Sequence, residues 1–187
     1  MTSGALATVE TGAVVLAKGM ALQGKGRGQL YLAFMLGGEI FAVDILRIRE
    51  IIEYTAPTVV PMMPPSLLGV INVRGSVVPV IDLAARFGWE PVKVGRRTCI
   101  VIVEIMHQKS LHVLGLVVDK VNMVTEIKSE NIEAPPAFGA RINTDFITGM
   151  ARVNERFVIV LNIERTLSLE EMAAVSQIGG EREALTH

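Results

Sequence analysis

The sequence predicts a mostly β fold of two small five-stranded barrels packed side by side, with short helical turns and a C-terminal helix. From Leu30 onward, short runs rich in Val, Ile and Phe are broken roughly every eight to twelve residues by Gly, Pro, Asn or charges, a pattern typical of strands. A repeated hairpin sequence divides this region into two similar units. Closing about five strands into a barrel removes the exposed edges of so short a β unit.

The apolar runs predict ten strands. In chain order they are "LYLAFML", "EIFAV", "LRIREII", "GVINV", "VVPVI", "CIVIVEI", "VLGLVVD", "NMVTEI", "GMARV" and "FVIVLNI". Because Pro79 lacks a backbone N–H, we expect "VVPVI" to be an edge strand or to carry a bulge at the proline.

Three segments predict helical structure. Short turns are expected in "PPSLLG" and in "DLAARFG", where Asp82 can cap the turn and Gly88 can end it. A longer helix is expected in "TLSLEEMAAVSQIGG", because Ser168 and Glu171 have the spacing of a capping box.

The repeat relates "GVINVRGSVVPVIDL" (residues 69–83) to "GMARVNERFVIVLNI" (residues 149–163) without a gap. Upstream, "AVDILRIREI" (42–51) resembles "VVDKVNMVTEI" (117–127) with one extra residue. Chance similarity between two amphipathic hairpins is the alternative explanation. The parallel order of the flanking segments favours two copies of one barrel.

Composition and charge exclude several function classes. A chain of 187 residues, half of them hydrophobic, can bury about 70% of its unfolded surface without a metal or disulfide. A net charge of −1 and a pI near 6.3 give no positive field for nucleic acid or an acidic membrane. The lone Cys99 has no partner for an internal disulfide, which fits a reducing compartment. No signal peptide or membrane span is predicted.

The composition also suggests domain boundaries. Residues 1–28 are rich in Gly, Ala, Ser and Thr and end in "GKGRG", so we expect a flexible N-terminal tail. Residues 29–176 form the expected folded domain of two barrel subdomains, and 177–187 are expected to be a C-terminal tail.

No residue pattern indicates catalysis, a cofactor or a metal. "GKGRG" lacks the strand, the helix and the Lys-Ser or Lys-Thr pair of a phosphate-binding loop. His107 and His112 flank an expected hairpin turn and could share a metal, but no third ligand is nearby in sequence. Cys99 has no neighbouring His and is expected to be a packed thiol, and Glu50 and Glu53 show no cleft-forming spacing.

The two repeated hairpins differ at their tips, which read "NVRGS" and "RVNER". Asn72 and Gly75 are ordinary turn formers, whereas Arg74 has no expected turn role. Its guanidinium is a planar donor suited to a partner's carboxylate or carbonyl groups. A solvated hairpin arginine is the alternative, and both interpretations stay open at this point.

From Leu30 to Ser176 the chain resembles the CheW family of bacterial chemotaxis coupling proteins. The matching segments include "LGGEIFAVDILRIREII", "PPSLLGVINVRGSVVPVIDLAARFG", "VLGLVVDKVNMVTEI", "APPAFG", "DFITGM" and "FVIVLNIERTLS". The resemblance implies two five-stranded barrels in a cytoplasmic, non-enzymatic adaptor without a cofactor. Such adaptors join chemoreceptor cytoplasmic tips to the regulatory domain of the CheA histidine kinase, with no nucleic-acid binding and no membrane insertion.

The resemblance also implies a set of partner-binding residues. It places Arg74 at the arginine implicated in receptor and kinase coupling, and Asn72 and Gly75 in the same motif. The other positions implied are Ile48, Glu50, Gly69, Cys99, Gly115 and Gly149. A structural role for the three glycines at 69, 115 and 149 is the alternative. Val73 and Cys99 depart from the family's usual Leu and Val.

Two other functions remain possible from the residues alone. A generic two-barrel interaction module outside chemotaxis would share the fold without binding a CheA-type kinase. An enzyme would need a site assembled from scattered polar residues.

Overall fold

The computed structural model describes residues 2–22, 28–135, 142–167 and 171–178. The described strands are β1 (Gln29–Leu36), β2 (Glu39–Asp44), β3 (Ile48–Glu53), β4 (Leu67–Val73), β5 (Ser76–Asp82), β6 (Cys99–His107), β7 (Ser110–Val118), β8 (Lys120–Ile127), β9 (Ile147–Val153) and β10 (Arg156–Leu161). All ten predicted strands are confirmed.

The strands form two five-stranded sheets. The first sheet has the order β8-β1-β2-β10-β9 and the second has the order β3-β6-β7-β5-β4. The sheets exchange strands: β3 follows β2 along the chain but pairs with β6, and β8 follows β7 but pairs with β1. Each sheet therefore needs a strand from the other half of the chain.

The two predicted barrels are present as two curled five-stranded sheets that are not fully closed. In the part of the chain that the structure describes, each sheet has two edge strands, and one isolated bridge links them. The loop after β3 returns to β4, where Thr58 and Val70 exchange two backbone hydrogen bonds of 2.8 Å. In the first sheet, Glu133 and Met150 make the same exchange at 2.8 Å. The two five-stranded units are confirmed, and each curls enough to join its edges at one point.

The largest apolar core lies between the two sheets. It includes Phe34 and Phe41 from the first sheet and Ile48, Val103 and Leu116 from the second, and none of these five residues has exposed surface. Smaller clusters fill the inner face of each curled sheet. Because both faces of the central strands are buried, their sequences read as near-continuous apolar runs.

The strand register confirms the repeated hairpins. Gly69 faces Val80 in one hairpin and Gly149 faces Val160 in the other. Each hairpin adds to its sheet through a parallel ladder, β5 on β7 and β10 on β2.

The predicted alignment of residues 42–51 with 117–127 is wrong by two residues at its start. The parallel ladders pair Val80 with Gly115 and Val160 with Ala42, so Ala42 corresponds to Gly115 and not to Val117. A shift of two residues preserves the alternation of inward and outward side chains, and sequence similarity does not detect it.

The prediction of a flexible tail over residues 1–28 is wrong for α1 (Thr2–Leu22), which is helical and packs against β3. Val14 and Ala17 are buried in the central core, and Ala21 packs against it. These positions have the spacing of one helix face. Because Ala, Val, Leu and Gly also occupy the other faces of the helix, the sequence shows no clear helical period of apolar residues. Residues 23–27 lie outside the described part of the chain.

Two local predictions are corrected around β4 and β5. "PPSLLG" is not a helical turn: its last residues form the start of β4. β5 is not an edge strand, because it lies between β7 and β4. The irregularity in the β4–β5 pairing lies in β4, between Leu67 and Gly69, and not at Pro79. Its ladder with β7 begins at Val80, just after Pro79, so the proline does not interrupt it.

The Asp82 cap is confirmed. Its Oδ1 accepts a 3.0 Å hydrogen bond from the Ala85 N–H at the start of α2 (Leu83–Arg86). Its Oδ2 accepts a second one, also 3.0 Å, from the Val92 N–H. Gly88, at φ +80°, follows the end of the helix, as predicted.

The C-terminal helix is confirmed over residues 171–178 (α4), after the short α3 (Ile163–Thr166). Ser168 of the expected capping box lies outside the described residues. The expected tail 177–187 begins within α4, and residues 179–187 are also outside the described part.

A buried carboxylate fastens α4 to the domain. Glu171 accepts a 2.6 Å hydrogen bond from the Ser66 hydroxyl and lies 3.2 Å from Arg86 Nε. Arg86 Nε also donates to the Thr166 carbonyl at 2.7 Å. Each charge has polar partners, as burial requires.

We expect Glu171→Ala to lower the free energy of unfolding by about 2 kcal/mol, because Ser66 and Arg86 both lose a buried partner. Urea denaturation measures this. The control is Glu164→Ala, which breaks the exposed Glu164–Arg47 pair at 2.9 Å and should cost less than about 0.5 kcal/mol. Equal losses in the two variants would show that the buried carboxylate has no special role.

Candidate partner-binding site

The β4–β5 hairpin turn presents Arg74 in a left-handed conformation. Arg74 has φ +51° and Gly75 has φ +83°, the signs of a type I′ turn. The Asn72 side-chain oxygen accepts a 2.9 Å hydrogen bond from the Gly75 N–H. The turn roles predicted for Asn72 and Gly75 are confirmed. Arg74, however, occupies a turn position where Asn or Gly is favoured, contrary to our expectation, so its backbone is mildly strained.

Arg74 forms an ion pair with Glu50. The Arg74 Nη2 lies 3.1 Å from Glu50 Oε2, with the arginine side chain 81% exposed and the glutamate 12% exposed. The carboxylate anchors one side of the guanidinium and leaves its other donors open to solvent. Two residues that the sequence placed 24 positions apart are thus brought into one site.

A bulge in β3 orients Glu50 toward Arg74. Ile48 pairs with Val103 and Glu50 with Ile102, so Arg49 is an extra residue in the strand. Ile48 and Ile51 consequently both face the central core, although they are three residues apart. Glu50 is left on the opposite face, which carries the hairpin tip.

Arg74 and Glu50 stand at a cleft of about 600 Å³, which we call the Arg74–Glu50 cleft. Its walls are mostly apolar and include Val15, Val73, Val77, Val78, Leu111 and Val113. Arg49 also lines it and pairs with Glu104 at 3.4 Å. In both ion pairs the arginine is the more exposed partner, so the surface offers positive charge beside an apolar hollow.

The second sheet alone carries this arrangement. By strand register, Met123 of the first sheet takes the place of Glu50, and Asn154 takes the place of Arg74. Asn154 has φ +50°, so the two tips share one backbone shape. The two sheets therefore share a backbone arrangement at this site, and only the second sheet carries the charged pair there.

The structure contradicts direct partner contact by two of the predicted residues. Ile48 has no exposed surface and belongs to the central core. Cys99 is buried to 9% exposure, and its thiol donates to the Arg97 carbonyl at 3.3 Å, as expected of a packed thiol. Ile48 was named from the family resemblance, which does not show that this side chain is buried in the central core.

The three glycines have structural roles. A Cβ on Gly69 would lie 2.1 Å from the Thr58 carbonyl oxygen, and one on Gly149 would lie 2.6 Å from the Glu133 carbonyl oxygen. Both glycines lie beside the bridges that link the sheet edges. A Cβ on Gly115 would lie 2.6 Å from Ile100 Cγ2 inside the second sheet. At these three positions the packing of neighbouring atoms leaves no room for a side chain.

The histidine pair comes together without a third ligand. The His107 and His112 rings are 6.1 Å apart, near the β6–β7 turn. Among the described residues, no group of three His, Cys, Asp or Glu side chains could hold a metal ion. Nor does any helix in the described ranges have the length and apolar character needed to cross a membrane.

Several cleft residues were not predicted from the sequence. Val15 comes from α1, which was assigned to the tail, and Leu111 and Val113 come from β7. The strand order, which places β7 beside β5, brings Leu111 and Val113 near the β4–β5 hairpin.

Known proteins are similar to this chain in sequence and in fold. The sequence model of the CheW-like domain matches residues 30–171. A chemotaxis protein CheW of Klebsiella aerogenes is 36% identical over 157 residues, which are 84% of this chain and 92% of the relative. A probable chemotaxis protein CheW of Rhizobium etli is 34% identical over 76% of this chain and 90% of its own length. The crystal structure of the scaffolding protein TtCheW from Thermoanaerobacter tengcongensis has a TM-score of 0.69 and 30% identity, covering 78% of this chain and 92% of that one.

Proposed function

The chain belongs to the CheW-like family, and on that basis we propose that it is a non-enzymatic coupling protein of chemosensory signalling. In this proposal residues 29–176 join the cytoplasmic tips of chemoreceptors to the regulatory domain of a CheA-type histidine kinase. The relatives named for chemotaxis and the solved scaffolding protein support the role. A cytoplasmic location follows from these partners.

The Arg74–Glu50 pair is the observation that supports this surface as a partner site. A guanidinium that is 81% exposed on a strained turn contributes little to folding, since exposed ion pairs are worth about 0–1 kcal/mol. Its fixed position beside an apolar hollow suits an interface, where arginine is enriched among the residues that dominate binding. Asn72 and Gly75 act by shaping the turn, and Arg74 and Glu50 make the contact.

Calorimetry with the full chain tests the role against two probes: a chemoreceptor tip fragment and the isolated regulatory domain of a CheA-type kinase. We expect the chain to bind each probe, and to retain the kinase domain on immobilised receptor tips in a pull-down. The control is the same pull-down without the chain, which should leave the kinase domain in the supernatant.

Binding to neither probe would contradict the proposal and favour a generic interaction module outside chemotaxis. Binding to one probe without bridging would contradict the coupling role alone.

A further inference from the structure

The Arg74–Glu50 cleft carries a second arginine, Arg49, at the bulge of β3. In a regular strand, neighbouring side chains point to opposite faces, so Arg49 and Glu50 would not share one hollow. The extra residue in β3 removes this restriction, and both side chains line the cleft. Arg49 Nε lies 3.4 Å from Glu104 Oε1. The bulge therefore brings a second guanidinium to the cleft.

The cleft combines charged groups at the edges of the second sheet with apolar side chains from its middle. β3 and β4 are the edge strands of this sheet, and the ion pair between Arg74 and Glu50 links β3 to the β4–β5 turn. The middle strand, β7, contributes the apolar side chains of Leu111 and Val113 to the lining. A partner in the cleft therefore meets two guanidinium groups near the sheet edges and aliphatic side chains from the middle strand.

Each arginine is paired, but its pairing leaves donors for a partner. Glu50 and Glu104 are both less exposed than the arginines with which they pair. A guanidinium has several N–H donors, and one carboxylate contact occupies only part of them. Among the described residues that line the cleft, two are arginines and one is a glutamate. The exposed groups at the cleft are therefore suited to carboxylates.

The first sheet has the same bulge without these charges. Asn122 is the extra residue of β8, as Arg49 is the extra residue of β3. The same registers place Met35 at the position of Glu104. The backbone arrangement thus forms without the Arg49–Glu104 pair, which favours a role for this pair in binding.

We propose that Arg49 is a second binding residue of the cleft, and that the cleft takes an acidic amphipathic segment of a partner protein. Two carboxylates of this segment contact Arg49 and Arg74, and an apolar side chain enters the hollow. This inference rests on the proposed function, because it takes the cleft as the partner surface. A carboxylate matches a guanidinium in charge and in planar geometry. Arg49 also makes the cleft selective, because a basic side chain at its contact is repelled.

The test compares Arg49→Gln with Glu104→Gln in the full chain. Both changes break the same ion pair, but the first removes the guanidinium and the second frees it. We expect Arg49→Gln to weaken binding to the receptor tip fragment or the kinase domain roughly three- to tenfold. Glu104→Gln should bind at least as tightly as the wild type. Calorimetry measures both, and thermal unfolding should show little change, because the pair is exposed.

Salt dependence separates a charge contact from an effect on packing. The difference in affinity between Arg49→Gln and the wild type should shrink as NaCl is raised from about 0.05 M to about 0.5 M, because salt screens exposed charges. A difference that stayed constant over this range would overturn the ionic contact.

Double-mutant cycles identify the partner's groups. Each Asp of the probe is changed in turn to Asn and each Glu to Gln, and binding is measured with the wild type and with Arg49→Gln. We expect one carboxylate whose loss matters less once Arg49 has been replaced, and a different one that couples in this way to Arg74→Gln. If no carboxylate coupled to Arg49, the proposal would be wrong.

The outcomes separate this inference from the proposed function. Equal losses in Arg49→Gln and Glu104→Gln would show that the ion pair only supports the bulge, and would overturn the second contact. If Arg74→Glu weakened binding and Arg49→Gln did not, the proposed function would stand and Arg49 would be a solvated residue. If the wild type bound neither probe, the proposed function would fail, and the inference would fail with it.

Discussion

Arg74→Glu is expected to weaken binding to the receptor tip fragment or the kinase domain by about a hundredfold or more. Truncating an interface arginine typically costs about 1–3 kcal/mol, which corresponds to a tenfold to hundredfold loss for Arg74→Ala. The glutamate also reverses the charge beside the Glu50 carboxylate, so a partner group that suits the guanidinium would meet two carboxylates. Calorimetry against both probes measures the loss.

Folding should change little in the same variant. Arg74 fills no cavity, and the Glu50 carboxylate with which it pairs keeps some solvent exposure, so the melting temperature should fall by no more than a few degrees. The control is Asn154→Glu, which places a glutamate at the corresponding turn of the first sheet, at φ +50°. We expect this control to bind like the wild type.

Three results would contradict this account. If Arg74→Glu bound both probes normally, Arg74 would be a solvated turn residue. If Asn154→Glu weakened binding equally, the effect would be one of overall charge and not of the cleft. If Arg74→Glu unfolded the protein, the ion pair with Glu50 would be structural.

The strands and the repeat were predictable because they depend on local pattern. Short apolar runs separated by turn residues located all ten strands, and the gapless match of residues 69–83 with 149–163 agrees with the hairpin registers. Both signals come from residues close together in the chain. The pairing of β3 with β6, across the boundary between the two halves, leaves no such local trace.

The cleft was only partly predictable for the same reason. Arg74 was identified from its hairpin tip, and Glu50 from a resemblance, but nothing in the sequence brought them together. Their contact requires the Arg49 bulge, which turns Glu50 away from the central core. Ile48 was assigned to partner contact by the same resemblance, which does not show that its side chain is buried.

The N-terminal helix shows a second limit. Glycine- and alanine-rich sequence usually costs too much backbone entropy to order by itself, and this argument predicted a flexible tail. The helix is ordered by tertiary contact, through Val14 and Ala17 in the core and Lys18 on β3. Docking energy of this kind is absent from composition.

Gly69→Ala is expected to produce the largest loss of stability, about 3–5 kcal/mol in the free energy of unfolding. Gly69 has φ +150°, a conformation that side chains rarely adopt, and a Cβ would lie 2.1 Å from the Thr58 carbonyl oxygen. That carbonyl accepts the 2.8 Å hydrogen bond from the Val70 N–H, so relieving the clash breaks the bridge between the edges of the second sheet. Urea denaturation measures the loss, and amide exchange at Thr58 and Val70 locates it.

Gly75→Ala is the matched control, because Gly75 also has positive φ, +83°, but no atom lies within 4 Å of its Cβ position. It should lose only about 1 kcal/mol, the cost of a left-handed alanine. The comparison also decides the role of Gly69, which the family resemblance assigned to partner contact. If Gly69→Ala kept the wild-type melting temperature and lost binding, Gly69 would be a contact residue. We expect the reverse: binding should fall only as far as the folded fraction falls, because the missing side chain leaves room for the backbone of the Thr58 loop and for nothing outside the protein.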